Sequence, residues 1–176
     1  MTRPSSPGFV LRAMEPGDWA GVREVYLEGI ATRQATFETT APADHETWSA
    51  GRLAIGRLVA CAARAERGVL GWAALSPVST RPVYRGVAEV GIYVAARARG
   101  NGIGRALLER LVTEAEAAGI WTLQSSVFPE NAATLALHAA LGFREVGRRE
   151  RIAKLDGAWR DTLLLERRSA RPELND

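Results

Sequence analysis

The chain has 176 residues, 47% of them hydrophobic, which suffices for one globular domain with a buried core. Its formal net charge is +3 and its basic residues are interleaved with acidic ones, so the sequence predicts no nucleic-acid partner. The start lacks the apolar segment of a signal peptide, no stretch reaches the length of a membrane span, and Cys61 is the only cysteine. We therefore expect a cytoplasmic protein without a membrane partner, a disulfide within the chain or a metal site.

Short strands and helices are predicted for the first half of the chain. In chain order, apolar patterns indicate a strand, a helix, a second helix after a Thr-rich loop, and two hairpin strands, at 9–14, 16–30, 45–56, 57–64 and 68–76. The hairpin is expected to turn at "AERG", residues 65–68. On the first helix, Trp19, Val22, Tyr26 and Ile30 fall on one face, which predicts that this face is buried.

Strands and helices alternate in the second half. The patterns indicate a strand, a helix, a strand and a helix, at 87–94, 103–118, 121–128 and 131–141, followed by two strands that end with "DTLLLE". The predicted apolar face of the 103–118 helix consists of Ile103, Leu107, Leu108, Leu111, Val112 and Ala115. Gly119 suits the position after its end. This order predicts an α+β fold with a mixed, mostly antiparallel central sheet flanked by helices.

Three glycines stand where the 103–118 helix is predicted to begin. Gly100, Gly102 and Gly104 lie between Arg99 and Arg105. A helix N-terminus offers unpaired amides and partial positive charge, glycines let an anion approach the backbone, and arginines add charge-assisted contacts. The segment therefore predicts a phosphate-binding loop, with a purely structural turn as the alternative. Neither a dinucleotide-binding nor a Walker loop fits, because the former needs glycine at Arg105 and the latter needs Gly-Lys-Ser/Thr.

The stretch from Arg99 to Gly104 resembles the R/Q-x-x-G-x-G/A signature of the GNAT superfamily, the acyl-CoA-dependent N-acetyltransferases. The strand before it, the helix after Asn131 and "LGF" at 141–143 recur at the family's spacing. The resemblance covers 9–168, which predicts one domain with tails at 1–8 and 169–176. More narrowly, "ATFET", "RPVYRGVAEVGIYV", "FPENAATLALHAALGF" and "DGAWRD" resemble the phosphinothricin, arsinothricin and methionine sulfoximine N-acetyltransferases.

This resemblance implies the GNAT fold, acetyl-CoA as acetyl donor without a metal, and a pyrophosphate on the glycine loop. The implied acetyl-CoA contacts lie on the strand, the loop and the next helix start: Ile92, Tyr93, Val94, Arg99, Gly100, Asn101, Gly102, Ile103, Gly104, Arg105 and Asn131. The strand backbone at 92–94 would also supply an N–H to the thioester oxygen as negative charge develops there. Asn131 has a second interpretation as a helix N-cap.

Two residues are candidates for proton transfer. Glu89 is a lone carboxylate in the apolar strand "VAEVGIYV" and matches the subfamily's glutamate, so it is the predicted general base for the acceptor amine. The alternative is a glutamate on an exposed sheet face. His138 stands seven residues after Asn131, where many relatives carry a tyrosine. It is either a proton donor to the leaving coenzyme A thiolate or a structural helix histidine.

The acceptor is expected to be the α-amino group of a small anionic amino-acid analogue of the phosphinothricin, methionine sulfoximine or arsinothricin type, acetylated directly in a ternary complex. The resemblance places Phe37 and Glu38 in the acceptor pocket. Arg81 and Tyr84 lie in the loop before the catalytic strand, where a guanidinium could meet an anion, and ordinary surface is the alternative for both loops. The resemblance also implies a homodimer. Alternatives are a polyamine, aminoglycoside or protein N-terminus as acceptor, or a non-catalytic acyl-CoA-binding domain.

Overall fold

A computed structural model describes residues 8–63 and 68–174. The strands are β1 (Phe9–Ala13), β2 (Leu58–Ala62), β3 (Val69–Pro77), β4 (Val87–Val94), β5 (Thr122–Val127), β6 (Arg144–Leu155) and β7 (Ala158–Arg168). Within the described residues they form one seven-stranded sheet in the order β1-β2-β3-β4-β5-β7-β6. The β4–β5 pair is parallel and the other five pairs are antiparallel. The predicted mixed, mostly antiparallel sheet is therefore confirmed.

Four helices accompany this sheet in the described part of the chain: α1 (Trp19–Ala31), α2 (His45–Ala50), α3 (Ile103–Ala117) and α4 (Ala132–Ala140). Gly71 of β3 faces α3, because a Cβ there would lie 3.2 Å from Leu107 and 3.3 Å from Ile103. The next residue, Trp72, contacts Tyr26 of α1 with ring centroids 5.5 Å apart. Since successive strand residues point to opposite faces, α1 and α3 cover opposite sides of the sheet.

The apolar faces of α1 and α3 are buried as predicted. Trp19, Val22, Tyr26 and Ile30 of α1 are all buried, and so is every residue of the face predicted for α3. Gly119 follows α3 with φ +85°, a left-handed conformation that suits glycine after a helix end. Sequence periodicity was sufficient here because each helix rests on the sheet along one continuous stripe.

The prediction of a helix over 45–56 is wrong beyond Ala50. Gly51 follows α2, and the Arg57 side chain then donates hydrogen bonds of 2.8–3.0 Å to the carbonyl groups of Ser49, Arg52 and Leu53. In a longer helix these carbonyl groups would accept hydrogen bonds from backbone N–H groups of the next turn. Because they bond to Arg57 instead, 51–56 is irregular. Residues 64–67, which hold most of the predicted hairpin turn, lie outside the described residues.

Strands β4 and β5 pair over only part of their length. Their register joins Val87, Ala88 and Glu89 to residues 122–124 of β5. Beyond Glu89, β4 continues to Val94 alongside β3 alone, whereas β5 continues to Val127 alongside β7 alone. The sheet therefore opens between the two strands, and the edge of β4 from Val90 to Val94 faces a gap.

Candidate active site

Two cavities meet at this gap, one of about 590 Å³ and the other of about 410 Å³. Both are lined by Tyr93 of β4 and by Ala35 of the loop after α1. Volumes of this size suit small organic ligands. We call them the donor cavity, beside the glycine loop, and the acceptor cavity, beside Glu89.

The donor cavity brings together most of the residues predicted to contact acetyl-CoA. Its lining includes Ile92, Tyr93, Val94, Arg99, Gly100, Gly102, Ile103, Gly104, Arg105 and Asn131. Asn101 is not among the lining residues, and its side chain donates to the Ala98 and Arg99 carbonyls at 3.2 and 3.1 Å, so its contact with acetyl-CoA stays a prediction. Asn101 thus stabilises the turn through hydrogen bonds from its side chain to the preceding backbone carbonyls.

The glycine loop needs backbone conformations that other residues rarely adopt. Gly100 has φ +76°, and Gly102, at the N-cap of α3, has φ +78°. Gly104 lies in the first turn of α3, where the helical amides have no helical acceptor. The cavity therefore has the start of a helix and a bare glycine surface on one wall, which is the arrangement that binds phosphate groups.

The start of α4 lies beside the donor cavity and is fixed by Asn131. The Asn131 carbonyl oxygen Oδ1 accepts a hydrogen bond from the Thr134 amide at 3.2 Å, which confirms the N-cap interpretation. Its amide Nδ2 donates to the Gln34 carbonyl at 3.1 Å. Asn131 therefore joins α4 to the loop after α1 where both line the cavity, and its contact with acetyl-CoA stays a prediction.

Glu89 lies where β4 leaves β5 and faces the acceptor cavity. It is half-buried, and its Oε2 accepts a hydrogen bond from Gln124 Nε2 at 3.2 Å. This position differs from that of a glutamate on an exposed sheet face. The carboxylate has a fixed orientation toward a small-molecule cavity, as a general base requires.

The residues predicted to bind the acceptor fall into two groups. Phe37 and Glu38 line the acceptor cavity, and the Phe37 ring meets Phe128 edge-on with centroids 4.9 Å apart. Arg81 and Tyr84 are exposed in the loop between β3 and β4, with the guanidinium 5.6 Å from the tyrosine ring, and they line neither cavity. The fold of a single chain does not bring them to Glu89.

Arg52 lines the acceptor cavity and was missed from the sequence. The predicted 45–56 helix includes Arg52, but in the structure Arg52 follows the end of α2, and its side chain folds back to donate to the Trp48 carbonyl at 2.6 Å. Burial lowers the pKa of Arg52 from its ordinary value. No signal in the sequence distinguished this arginine from its neighbours, because its direction depends on where α2 ends.

His138 is wholly buried and does not reach either cavity. Its Nδ1–H donates to the Thr134 carbonyl at 2.8 Å, its ring meets Phe143 edge-on at 4.7 Å, and its buried Nε2 has no hydrogen-bond partner among the described residues. Burial lowers the pKa of the imidazole, which favours the neutral form. The geometry favours a structural helix histidine, and a role for His138 as proton donor stays a prediction.

A glycine loop at a helix start, an open strand edge and a carboxylate at the opening together correspond to the expected site of an acetyltransferase. A model of the acetyltransferase (GNAT) family matches residues 18–143. The chain belongs to the GNAT family. This confirms the resemblance drawn from the Arg99–Gly104 signature and identifies the chain as a GNAT-family N-acetyltransferase.

Curated GNAT relatives match most of the chain. Phosphinothricin N-acetyltransferase of Alcaligenes faecalis is 30% identical over 159 residues, covering 89% of this chain and 81% of the relative. L-methionine sulfoximine/L-methionine sulfone acetyltransferase of Pseudomonas paraeruginosa is 28% identical over 151 residues, covering 85% and 88%. The structure of a GNAT superfamily phosphinothricin acetyltransferase from Sinorhizobium meliloti, in complex with acetyl-CoA, matches with a TM-score of 0.81 and 30% identity over 92% of this chain and 88% of that one.

Two structural findings bear on other classes of function for this GNAT chain. None of the helices within residues 8–63 and 68–174 combines the length and the apolar composition of a membrane span. The same residues contain no group of three or more His, Cys, Asp or Glu side chains arranged to hold a metal ion. The GNAT reaction itself uses acetyl-CoA as the acetyl donor.

Proposed function

We propose that this GNAT enzyme transfers an acetyl group from acetyl-CoA to the α-amino group of a small anionic amino-acid analogue, directly and within a ternary complex. The observation that carries the proposal is the meeting of two cavities at the point where β4 leaves β5. One contains the glycine loop and the other contains Glu89. A donor and an acceptor held on either side of Tyr93 would have their reacting groups close together.

The donor cavity fits the chemistry of acetyl-CoA, which supplies an acetyl thioester. The free amides at the start of α3 suit its pyrophosphate, and Gly100 and Gly102 allow close approach to the backbone. The edge of β4 from Val90 to Val94 lacks a β5 partner. Backbone groups on that edge are therefore available to bond the amide-rich arm of the donor and to stabilise charge on the thioester oxygen.

Glu89 is the group placed to activate the acceptor. At neutral pH the acceptor amine is an ammonium ion, and its nitrogen attacks only after it loses a proton to Glu89, directly or through one water molecule. A bond then forms from nitrogen to the acetyl carbon as the carbon–sulfur bond breaks. The nitrogen releases a second proton, which balances the departing thiolate.

The acceptor class is supported by the relatives named above and by the size of the acceptor cavity. These relatives are named for the acetylation of phosphinothricin and of methionine sulfoximine or sulfone. Phe37 and Glu38 belong to this cavity, while roles for Arg81 and Tyr84 stay predictions from the resemblance. The homodimer is also a prediction, and light scattering of the purified chain tests it.

A panel of acceptors tests this function. Thiol release from acetyl-CoA is measured with phosphinothricin, methionine sulfoximine and arsinothricin against spermidine, an aminoglycoside and a short peptide. We expect the highest kcat/KM for one of the three analogues. The acceptor assignment is overturned if spermidine, the aminoglycoside or the peptide exceeds all three in kcat/KM.

The catalytic assignment is tested on Glu89→Gln. This variant keeps the shape of the side chain, so we expect unchanged acetyl-CoA affinity by calorimetry and a turnover lowered by about 100-fold or more. Gln124→Ala, which removes the hydrogen-bond partner of Glu89 and leaves the carboxylate, is the matched control and should lose far less. Near-normal turnover of Glu89→Gln between pH 6 and 9 excludes Glu89 as the base.

A further inference from the structure

Arg52 places a guanidinium group in the wall of the acceptor cavity without a compensating carboxylate. Within the described residues no ion pair involves Arg52. The titratable groups that act on it most strongly are Tyr26, Tyr93 and Arg57, and none of these is a carboxylate. Glu38 lines the same cavity but forms no ion pair with Arg52. A half-buried cation in this situation has lost hydration without gaining a counter-charge.

The protein holds this guanidinium in one place. Arg52 donates to the Trp48 carbonyl at 2.6 Å, and its central carbon lies 4.3 Å from the centroid of the Trp48 ring and 5.9 Å from that of Trp72. Contacts with aromatic rings stabilise an arginine cation, and they restrict its rotation. The Trp48 carbonyl and the Tyr26 hydroxyl use part of the hydrogen-bonding capacity of the guanidinium, and the rest of its five N–H donors can meet a ligand. Such a pre-ordered cation binds an anion with little loss of side-chain entropy.

The acceptor cavity therefore carries charges of both signs at separate places. Glu89 on β4 offers a carboxylate to a cationic nitrogen, and Arg52 after α2 offers a guanidinium to an anion. An amine acceptor without an anionic group would leave the positive charge of Arg52 without a counter-charge. A zwitterionic acceptor would supply an ammonium group to Glu89 and an anion to Arg52.

We propose that Arg52 binds an oxyanion of the acceptor and thereby selects anionic over neutral amines. This inference rests on the function proposed above. The oxyanion is the α-carboxylate of an amino acid or the acidic group of its side chain. Both are recognised by the same planar, charge-assisted contact from the guanidinium.

The test compares acceptors that differ in one charge. L-methionine sulfone and its carboxamide differ at the α-carboxylate, while phosphinothricin differs from methionine sulfone by a charged side-chain phosphinate. In Arg52→Gln we expect KM to rise by about 10- to 100-fold for every acceptor that carries the bound oxyanion, with a small change in kcat. If KM rises for the acid but not for the carboxamide, the bound oxyanion is the α-carboxylate. If KM rises for phosphinothricin but not for methionine sulfone, the bound oxyanion is the acidic group of the side chain.

Arg57→Gln is the matched control for damage to the loop. Arg57 bonds to carbonyls of the same segment and does not line either cavity. Loss of its contacts should lower the melting temperature and change KM by the same factor for every acceptor. Arg52→Lys, which keeps the charge without the planar fork, should recover part of the preference for anionic acceptors. The inference is overturned if Arg52→Gln changes KM for the acid, the carboxamide and phosphinothricin by the same factor.

Failure of the proposed function gives a different result. If the wild-type chain acetylates none of these amines, the proposed function is wrong, and Arg52 is then tested by calorimetry with N-acetyl-L-methionine sulfone and coenzyme A. Binding by wild type that is weakened about tenfold or more in Arg52→Gln, but not in Arg57→Gln, supports the anion site. Absence of binding to wild type, or equal binding to all three proteins, refutes it.

Discussion

His138→Leu distinguishes a structural from a catalytic histidine. Leucine is similar in volume and favours helix, so it can occupy the buried position in α4. The substitution removes the bond from Nδ1 to the Thr134 carbonyl, worth about 1 kcal/mol, and also removes the unpartnered Nε2, whose burial costs about 1–3 kcal/mol. We therefore expect the free energy of unfolding at pH 7.5 to stay within about 2 kcal/mol of wild type or to increase.

The pH dependence of stability provides a sharper measure. Burial lowers the pKa of His138 in the folded chain, whereas the unfolded chain binds a proton near the ordinary pKa of about 6.5. At pH 7.5 both states are neutral and the group contributes no pH dependence. As the pH falls below about 6.5, protonation stabilises the unfolded state by about 1.4 kcal/mol per pH unit until the folded pKa is reached. Between pH 7.5 and pH 5.0, wild type should therefore lose up to about 2 kcal/mol more than His138→Leu.

Urea unfolding at the two pH values, together with thiol release at pH 7.5, measures both effects. Since His138 lines neither cavity, kcat of the variant should remain within about twofold of wild type. A folded variant whose kcat falls about 100-fold would show that His138 acts in the transfer after all. Equal acid sensitivity in the two proteins would show that the imidazole is not held neutral by burial.

Two further predictions concern the donor cavity and the ion pair between Glu116 of α3 and Arg167 of β7. Gly104→Val should weaken acetyl-CoA binding roughly tenfold or more by calorimetry, since its methyl groups would occupy space beside the proposed phosphate site. The control is Gly104→Ala, whose Cβ would meet Leu137 at an ordinary 3.4 Å. Equal acetyl-CoA affinity of the two variants refutes the phosphate site. Burial acts to raise the pKa of Glu116, but bonds from Arg167 and Ser169 outweigh it and hold the pKa below its usual range. Glu116→Gln should therefore cost about 1–3 kcal/mol of unfolding free energy at pH 7. That difference should shrink as the pH falls below about 4.5 through the lowered pKa, and a difference constant with pH contradicts the ion pair.

The sequence predicted the parts of the molecule that depend on short-range patterns. The face of α3 was predicted residue by residue because one apolar stripe rests on the sheet. The glycine loop was found because left-handed backbone at Gly100 and Gly102 requires glycine, which is visible in the sequence. Glu89 was visible as a single charge in an apolar strand.

Other features depend on contacts between distant segments. Helix α2 ends at Ala50, and Arg57 then bonds to carbonyl groups of the segment that follows. The direction of Arg52 follows from that ending, so an arginine in the acceptor cavity could not be predicted before the loop was known. His138 stands at a position that suggested catalysis, yet packing against Phe143 turns it into the interior.

The opening between β4 and β5 explains why three alternate residues of one strand build the site. Glu89, Gly91 and Tyr93 share the face of β4 that α1 covers, as the contact of Tyr93 with Tyr26 at 4.9 Å between ring centroids shows. Glu89 comes at the last β5 pairing, so its carboxylate is anchored by Gln124 while the backbone after it is free. A Cβ at Gly91 would meet only Trp72 and a carbonyl, at 3.7 and 3.8 Å, so no clash requires glycine there. An added side chain would instead occupy the acceptor cavity between Glu89, the proposed base, and Tyr93, which lines both cavities, so we expect it to obstruct the proposed transfer.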